Sequence, residues 1–436
     1  MTRKMKDSGI EWIGEIPEDW KLTKVKHIGK YINGYPFKPS DWSDSGVPII
    51  RIQNLTGNNS EYNYYSGPKL PEDYFIIKND YLISWSATLG VFIWHKDKGY
   101  LNQHIFKAVP NEAVINYDYF YWIAKIFIEE IQSYMHGSAM QHVTKAVFDN
   151  FTIPLPSGKQ EQIKISETLS SKIALKNSTK QSIIKEIQTL EDYKKSVITE
   201  AVTKGLDKNV ETKDSGIEWI GEIPKHWEVV KIKYIPKKDD INSFIDGDWI
   251  ESNYIKEDGI RYITTGNIGD GKFIVQGNGF ISREDFEFLR CKYAYPGDLI
   301  FSRLNAPYGR SCLLPDNYSE YVIAVDNVIL RPDEYYNRKF INYLTQCIGY
   351  QQSVKDSASG TTMQRISRTK LGNIPLPFPN TEEQNDIVDY LDKKTKLIDD
   401  SIAIKQKQLD TLEEYKKSLI YEYVTGKKEV KDGEET

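Results

Sequence analysis

KDSGIEWIGEIPEDWKLTKVK at residues 6–26 returns as KDSGIEWIGEIPKHWEVVKIK at residues 213–233. Most positions are identical, at a constant offset of 207 residues. A match of this length does not arise by chance. Because self-similarity at a fixed spacing indicates a repeated structural unit, we interpret the chain as one unit of roughly two hundred residues written twice.

Two further repeats lie downstream, where the offset is 222 residues or close to it. FTIPLPSGKQEQIKI at 151–165 matches GNIPLPFPNTEEQNDI at 372–387, and LEDYKKSVITEAVTKG at 190–205 matches LEEYKKSLIYEYVTGK at 412–427. The stretches between these borders diverge. Repeated borders around divergent segments favour a protein with pseudo-twofold symmetry and two different recognition domains. Such a protein suits a target with two half-sites. Duplication for stability alone, as in solenoids, is the less favoured alternative, because solenoids need three or more short repeats.

A long helix is predicted after each IPLP segment, because apolar residues recur there at alternating steps of four and three without Gly or Pro. Each helix covers roughly forty residues, or about 60 Å. We expect the two helices to pair antiparallel as a coiled coil, with the lysine positions of one seam opposite isoleucine positions of the other. The pair would space the domains and offer surface to partner subunits; two independent surface helices are the alternative. The predicted seams are Leu169, Ile173, Lys176, Lys180, Ile183, Ile187, Leu190, Lys194, Val197 and Ala201, and Leu391, Thr395, Ile398, Ile402, Lys405, Leu409, Leu412, Lys416, Leu419 and Tyr423.

The predicted fold class is α+β, with two mixed α/β recognition domains in a pseudo-twofold arrangement and two long antiparallel helices between them. Strand-like runs and one helix-like run alternate in each domain. The predicted boundaries are 1–156 for the first recognition domain, 157–205 for the central helix, 206–378 for the second domain, 379–427 for the C-terminal helix and 428–436 for a polar tail.

Candidate DNA contacts lie in polar loops after the central strands and after the helix-like runs. Arg reads guanine, Asn reads adenine, and basic loop residues suit phosphates. Any one of these residues is more often a solvated loop residue or a satisfied hydrogen-bonding partner. The candidates are Gln53, Asn54, Ser84, Trp85, Thr88, Gln103, His104, Gln141, Lys145, Asn267, Arg303, Asn305, Tyr308, Arg310, Gln364, Arg365 and Arg368.

The formal net charge of −5 counts modestly against nucleic-acid binding. The excess of acidic over basic side chains lies mainly in residues 379–436, which carry 10 basic and 15 acidic side chains. The two domains are therefore nearly neutral, and any basic surface on them must be a local patch. The apolar runs are too short for a membrane span, and the first residues lack a signal-peptide core. We therefore expect a cytoplasmic protein without a membrane partner. Cys291, Cys312 and Cys347 are scattered, which disfavours a disulfide framework or a zinc site.

The motifs of an enzyme are missing from the sequence. It contains no GxxxxGK[ST] phosphate loop and no HExxH metal motif. NIPLPF at 373–378 only resembles the motif of an amino-methyltransferase, and IPLP recurs at 153–156 as a domain border. We therefore predict a chain without catalytic, cofactor or metal residues.

From residue 6 to residue 427 the chain resembles the specificity subunits of type I restriction–modification enzymes. The duplicated openings, the two IPLP borders and the two YKKS helix ends carry the resemblance. It implies that each domain reads one half of a split double-stranded DNA sequence. It also implies two methyltransferase subunits and motor–nuclease subunits as partners, with S-adenosylmethionine, ATP and Mg²⁺ bound by those partners. The resemblance does not identify base-contacting residues.

Two other functions remain open at the level of sequence. A duplicated scaffold or adaptor without sequence-specific DNA binding fits the near-neutral domains, and salt-dependent, sequence-specific binding would exclude it. An autonomous nuclease or methyltransferase is less favoured because its motifs are missing.

Overall fold

The computed structural model describes residues 3–57, 61–86, 88–136, 144–304, 306–358 and 365–430. The chain forms two compact units. Unit 1 comprises residues 1–183 together with 407–436, and unit 2 comprises residues 184–406. The boundaries between the units therefore fall inside the two long helices. Each unit contains one of the two predicted recognition domains and a part of both helices.

Unit 1 combines short strands with helices of very different length. Its strands are β1 Met5–Asp7, β2 Glu15–Pro17, β3 Lys21–Lys24, β4 Gly29–Asn33, β5 Val47–Ile50, β6 Asn63–Tyr65, β7 Phe75–Ile76, β8 Tyr81–Ser84, β9 Gly90–Ile93, β10 Gly99–Leu101, β11 Ile105–Pro110 and β12 Thr152–Leu155. Its helices are α1 Val25–Ile28, α2 Ile52–Leu55, α3 Tyr117–His136, α4 Lys145–Asn150 and the first part of α5 Lys159–Lys204.

Unit 2 repeats this plan with shorter helices in place of α3. Its strands are β13 Thr212–Asp214, β14 Glu222–Pro224, β15 Glu228–Lys231, β16 Phe244–Asp246, β17 Ile260–Ile263, β18 Phe280–Ile281, β19 Tyr293–Ala294, β20 Leu299–Ser302, β21 Ser311–Leu313, β22 Tyr321–Ile323, β23 Asn327–Leu330 and β24 Pro375–Phe378. Its helices are α6 Arg283–Phe288, α7 Arg338–Leu344, α8 Ile348–Ser357, α9 Arg368–Gly372 and the first part of α10 Thr381–Val424.

The two units share one sheet topology. The order β4-β11-β8-β9 in unit 1 corresponds to β16-β23-β20-β21 in unit 2, and both sheets are antiparallel. The order β6-β5-β10-β7 corresponds to β18-β17-β22-β19, with a parallel central pair in each case. The mixed α/β fold class is therefore confirmed, and the divergent interiors of the repeat share a fold that their sequences do not reveal.

A glycine follows the first strand of the antiparallel sheet in each unit, where the chain passes close to another backbone segment. A Cβ on Gly34 would lie 2.2 Å from the carbonyl oxygen of Asn102, and one on Gly247 would lie 2.3 Å from that of Ala324. Real Cβ atoms do not approach so closely, so neither position has room for a side chain.

The repeated borders fold into matching structures. The opening motif forms the hairpins β1–β2 and β13–β14. Each IPLP segment is a strand, β12 or β24, that pairs antiparallel with β3 or β15 before the long helix begins. Proline is tolerated there because these strands are paired on one side only in the described sheets.

The long helices pair antiparallel, and this holds within each unit taken by itself. In unit 1, Lys180 Nζ lies 2.8 Å from Glu413 Oε1, and Lys176 Nζ lies 5.0 Å from the centre of the Tyr415 ring. In unit 2, Lys194 Nζ lies 2.6 Å from Asp399 Oδ2, and Glu186 pairs with Lys405. Lys180, Lys194 and Lys405 of the predicted seams therefore meet carboxylates of the other helix, whereas the prediction placed isoleucines opposite the lysines. A charged group in a helix seam is stable when it has a partner and its stem packs on apolar neighbours.

The C-terminal end of each long helix completes a domain core. Tyr119, Phe120 and Phe127 of α3 are fully buried in unit 1, in the same cluster as Leu419 and Tyr423 of α10. In unit 2, Phe340 and Ile341 of α7 share a cluster with Ile198 and Val202 of α5. Aromatic side chains bury a large apolar area, so the repeated helix ends are structural parts of the domains.

Candidate nucleic-acid interface

Corresponding strand ends carry different side chains in the two units. After β8, the Trp85 backbone N–H donates to the His104 carbonyl at 3.4 Å, and after β20 the Arg303 N–H donates to the Asp326 carbonyl at 2.9 Å. Since β8 and β20 hold the same place in matching sheets, Trp85 corresponds to Arg303 and His104 to Asp326.

A short helix begins with a cation beside each of these strand ends. Lys145 is the first residue of α4, and Arg368 is the first residue of α9. The preceding residues, Thr144 and Ser367, cap their helices with the same side-chain hydrogen bond. Lys145 and Arg368 are therefore corresponding positions with the same charge.

In unit 1 several of the predicted contact residues lie together. The Trp85 ring lies 5.7 Å from the His104 ring and 5.8 Å from the Phe106 ring. The Gln103 amide nitrogen lies 3.3 Å from His104 Nε2, and the Lys145 ammonium lies 5.8 Å from the centre of the Phe106 ring. His104 and Lys145 are exposed. This arrangement offers an imidazole, an amide and a cation held over an aromatic face.

The neighbouring hydroxyl of Ser84 has a structural role. Ser84 is fully buried, and its Oγ donates to the Thr88 carbonyl at 2.5 Å. Contact between this hydroxyl and a base would require the loop to open, so the prediction for Ser84 is corrected to loop support. Thr88 itself is exposed and remains a candidate.

The pair Gln53 and Asn54 lies on α2, after a strand of the other sheet. The Asn54 side chain accepts from the Arg51 N–H at 2.9 Å and donates to the Glu61 carbonyl at 2.9 Å. Asn54 therefore holds the start of α2 against the following loop, and its prediction as a base reader is corrected accordingly. Gln53 is half-buried and stays a prediction.

In unit 2 a cluster of arginines and aspartates occupies the corresponding place. Arg303 is 7% exposed; its Nη2 donates to the Val325 carbonyl at 2.5 Å and lies 3.4 Å from Asp246 Oδ1. Arg368 shares that carboxylate at 3.5 Å and donates to the Phe244 carbonyl at 3.0 Å. Arg303 therefore anchors the cluster from inside, and Arg368 lies at its edge.

Arg365 is the most accessible of these cations. Its backbone pairs with Leu304 beside the end of β20, and its side chain is 60% exposed. Its Nη1 lies 3.4 Å from Asp326 Oδ1. A guanidinium steadied by one weak ion pair retains donors for a further acceptor, such as the O6 and N7 atoms of guanine.

Arg310 is a structural residue, which corrects its prediction as a guanine reader. Its guanidinium donates to the carbonyls of Ile268 at 2.5 Å, Thr265 at 2.9 Å and Pro307 at 3.1 Å. Burial lowers the pKa of Arg310 below the ordinary value of arginine. A buried guanidinium needs such acceptors, so this side chain ties the loop after β20 to the loop after β17.

Asn267 is corrected for the same reason. It is 2% exposed; its amide donates to the carbonyls of Ile274 and Gln276, and its oxygen accepts from the Thr264 N–H at 3.0 Å. Tyr308 is half-buried against the core of unit 2 and stays a candidate. Gln141, Asn305 and Gln364 lie outside the described residues, so their predictions stay as they are.

The structure adds residues that sequence reasoning missed. Asp246 at the end of β16 and Asp326 before β23 orient the arginines of unit 2. Asp246 lies 57 residues before Arg303, and Asp326 lies 39 residues before Arg365. Lone aspartates among 62 acidic residues carry no distinguishing signal in the sequence.

The cysteines of this chain form no disulfide bond among the described residues of the structure. The three cysteines are unpaired, and burial raises the pKa of Cys312 and Cys347 to about 12. Within the described ranges, no group of three or more His, Cys, Asp or Glu side chains is placed to hold a metal ion. Nor does any helix of these ranges combine the length and the apolar character of a bilayer crossing.

The family model described as the type I restriction modification DNA specificity domain matches residues 17–189 and again residues 224–414. The two matches cover most of the chain and follow its internal repeat. The chain belongs to this family of type I specificity subunits. Subunits of this family recognise DNA and are non-catalytic.

The similarity to known specificity subunits covers most of the length of this chain. The chain is 26% identical over 438 residues to the specificity subunit of the type I restriction enzyme MjaVIII from Methanocaldococcus jannaschii, covering 96% of this chain and 95% of that one. It is 24% identical over 416 residues to the specificity subunit of EcoBI from Escherichia coli, covering 89% and 81%.

One solved structure shows the same fold. It comes from a study of complex assembly and conformational transition of the type I R-M system. The chain matches it with a TM-score of 0.67 at 15% identity, over 94% of this chain and 98% of that one.

Proposed function

We propose that each unit of this specificity subunit reads one half of a bipartite double-stranded DNA target. The observation that carries the proposal is the correspondence of the two strand ends. One fold occurs twice, with Trp85 and His104 in unit 1 where unit 2 has Arg303 and Asp326. Two units that share one fold but carry different side chains at the corresponding strand ends suit two half-sites of different sequence.

Within this proposal, the shared and the differing residues have different tasks. Lys145 and Arg368 have the same charge at corresponding helix starts, so they contact phosphates, which are present in every sequence. Gln103, His104 and Thr88 in unit 1 and Arg365 in unit 2 contact base edges. Ser84, Asn54, Asn267 and Arg310 shape the loops that present them.

The long helices set the length of the unread gap between the half-sites and bind two methyltransferase subunits, which motor–nuclease subunits then join. S-adenosylmethionine, ATP and Mg²⁺ serve the chemistry of those partners. The assembly acts on DNA in the cytoplasm.

Methylation mapping by single-molecule sequencing tests the proposal. Cells express the chain with the methyltransferase subunit of its system, and control cells express that subunit alone. A new modified adenine motif, split by a fixed number of unspecified bases, supports the proposal. If the complex forms and no motif appears, the chain is either a scaffold without sequence-specific DNA binding or an inactive copy of a specificity subunit.

A domain exchange tests the division of labour. Replacing residues 20–150 with another recognition domain should change one half-site and leave the other intact. A change in both half-sites would contradict the assignment of one unit to one half-site.

A further inference from the structure

A groove of about 540 Å³ lies in unit 2 beside the C-terminal part of α5. Thr199 and neighbouring α5 residues form one side, and Trp219 of the repeated opening motif forms another, with Ile348 and Gly349 at the start of α8. Ile348 is 65% exposed although it is apolar. The groove therefore has an apolar part that the described residues leave uncovered.

The internal repeat shows how the same place is filled in unit 1. The helix-end repeat aligns Lys195, Ser196, Glu200 and Thr203 of the groove with identical residue types on α10, and it aligns Thr199 with Tyr421. The local backbone is also alike. The Thr203 hydroxyl donates to the Thr199 carbonyl at 2.6 Å, and the corresponding hydroxyl of Thr425 donates to the Tyr421 carbonyl at 2.6 Å.

Tyr421 occupies this place in unit 1 with its own aromatic ring. Its hydroxyl donates to the carbonyl of Trp12 at 2.7 Å, and the Lys427 ammonium lies 4.5 Å from the ring centre. Trp12 is the counterpart of Trp219 in the repeated opening motif. Threonine is too short to make the same bond, so unit 2 has the wall of the site without the side chain that fills it.

The tryptophan wall is held in place. A Cβ on Gly349 would lie 2.4 Å from the Trp219 ring, so the ring packs directly on the backbone at the start of α8. A side chain at position 349 would displace the ring. The groove is therefore preformed, and filling it does not require the wall to move.

We propose that this groove receives an aromatic side chain, a tyrosine in the position of Tyr421, from a methyltransferase subunit bound to unit 2. The inference rests on the proposed function and names one anchor of partner binding. An apolar wall of Trp219 and Ile348 with charged Asp192, Lys195 and Glu200 at the rim has the composition of a protein interface. Tryptophan in such a position is a frequent source of binding energy.

The two units offer unequal sites to the partner subunits. Unit 1 fills its own site with Tyr421, so the anchor is available in unit 2 and closed in unit 1. Two methyltransferase subunits that bind the two units therefore bind with unequal affinity.

The first test fills the groove with a tyrosine side chain of this chain itself, at position 199. The purified methyltransferase subunit is titrated into the full chain by isothermal calorimetry, with Thr199→Tyr as the variant and Val275→Tyr, at an exposed position outside the groove, as the control. We expect two binding steps for the parent chain, a loss of at least tenfold in the tighter step for Thr199→Tyr, and a change within twofold for Val275→Tyr. Equal affinity of parent and Thr199→Tyr for the methyltransferase subunit overturns the inference.

A second test does not depend on the folding of that variant. A photo-crosslinking phenylalanine analogue replaces Ile348 in the assembled complex, and in the control it replaces Val275, which is 82% exposed in unit 2 outside the groove. We expect position 348 to crosslink to a methyltransferase peptide that contains an aromatic residue. Crosslinks to DNA or to a second copy of this chain, or none, overturn the inference.

The outcomes separate this inference from the proposed function. If the complex forms and methylates a split motif, but neither test responds, the inference fails and the proposed function stands. If no complex forms and no motif is methylated, the proposed function fails and the inference fails with it.

Discussion

The indole Nε1 of Trp20 donates to the Glu161 carboxylate at 3.1 Å, joining the opening motif of unit 1 to the start of α5. In unit 2, Trp227 donates to Glu383 at 3.1 Å in the same way. Trp20 and Trp227 are almost completely buried. The repeated Trp and the repeated Glu-Gln pair, more than 140 residues apart in each unit, are therefore two halves of one contact.

Replacing Glu161 with Ala should destabilise unit 1 by about 1–3 kcal/mol, because the buried indole N–H loses its acceptor. The free energy of unfolding in urea measures the loss. Glu167→Ala, at an exposed position six residues further along the same helix, is the control and should change the stability by about 0.5 kcal/mol or less. Equal effects of the two variants would contradict a specific role for the Trp20–Glu161 bond.

Replacing Arg310 with Met should lower the stability of unit 2 by about 2–4 kcal/mol, since several buried carbonyls lose their donor. Thermal and urea unfolding measure this effect. Arg365→Met is the control, because its guanidinium is largely exposed, and should leave the stability nearly unchanged. If Arg310→Met folds as stably as the parent chain and loses only DNA binding, Arg310 is a DNA contact after all.

One position in each unit tests the assignment of base contacts. Arg365→Ala in the methyltransferase complex should weaken binding of the cognate DNA by about 1–3 kcal/mol and relax one base of a single half-site. His104→Ala should relax the other half-site. Methylation mapping and fluorescence anisotropy at fixed salt detect both changes. Relaxation of the same half-site by both variants would contradict the assignment of the units.

The ion pair of Lys180 and Glu413 should give unit 1 a small pH-dependent stabilisation. The hydrogen bond from Lys180, aided by Lys416, lowers the pKa of Glu413. A carboxylate with a lowered pKa in the folded state stabilises the fold above its unfolded pKa of about 4.3 and loses that contribution as the pH falls.

A double-mutant cycle with Lys180→Met and Glu413→Gln measures this contribution. Because the side chains of Lys180 and Glu413 are 36% and 40% exposed, we expect a coupling of about 0.2–1 kcal/mol at pH 7 and low salt. The coupling should shrink in high salt and at pH values below the folded pKa of Glu413. A coupling that grows as the pH falls would have the wrong sign for this pair.

Matched insertions of seven residues into α5 after residue 183 and into α10 after residue 406 test the spacing role. Seven residues keep the heptad pattern and add about 10 Å to each helix. We expect a longer unread gap and two unchanged half-sites by methylation mapping. An unchanged gap in a folded, active complex would exclude the helices as the spacing element.

The sequence predicted the features that depend on local pattern. The repeats identify the duplication, the heptad spacing predicts α5 and α10, and the two IPLP segments mark where those helices begin. The family follows from the same borders, because the borders build the frame that its members share. Position by position, however, the pattern gave the wrong partners for the seam lysines, since it contains no information on the register of one helix against the other.

The tertiary structure alone decided which polar residues are available to a ligand. Arg310 and Arg365 are the same residue type in similar polar loops, yet one is enclosed by carbonyls and the other is largely exposed. Burial arises from chain segments that are distant in sequence, such as the loop at Thr265 and Ile268, which lies more than 40 residues before Arg310. Local sequence determines which helices and borders form, whereas the packing of remote segments determines which side chains remain free to bind.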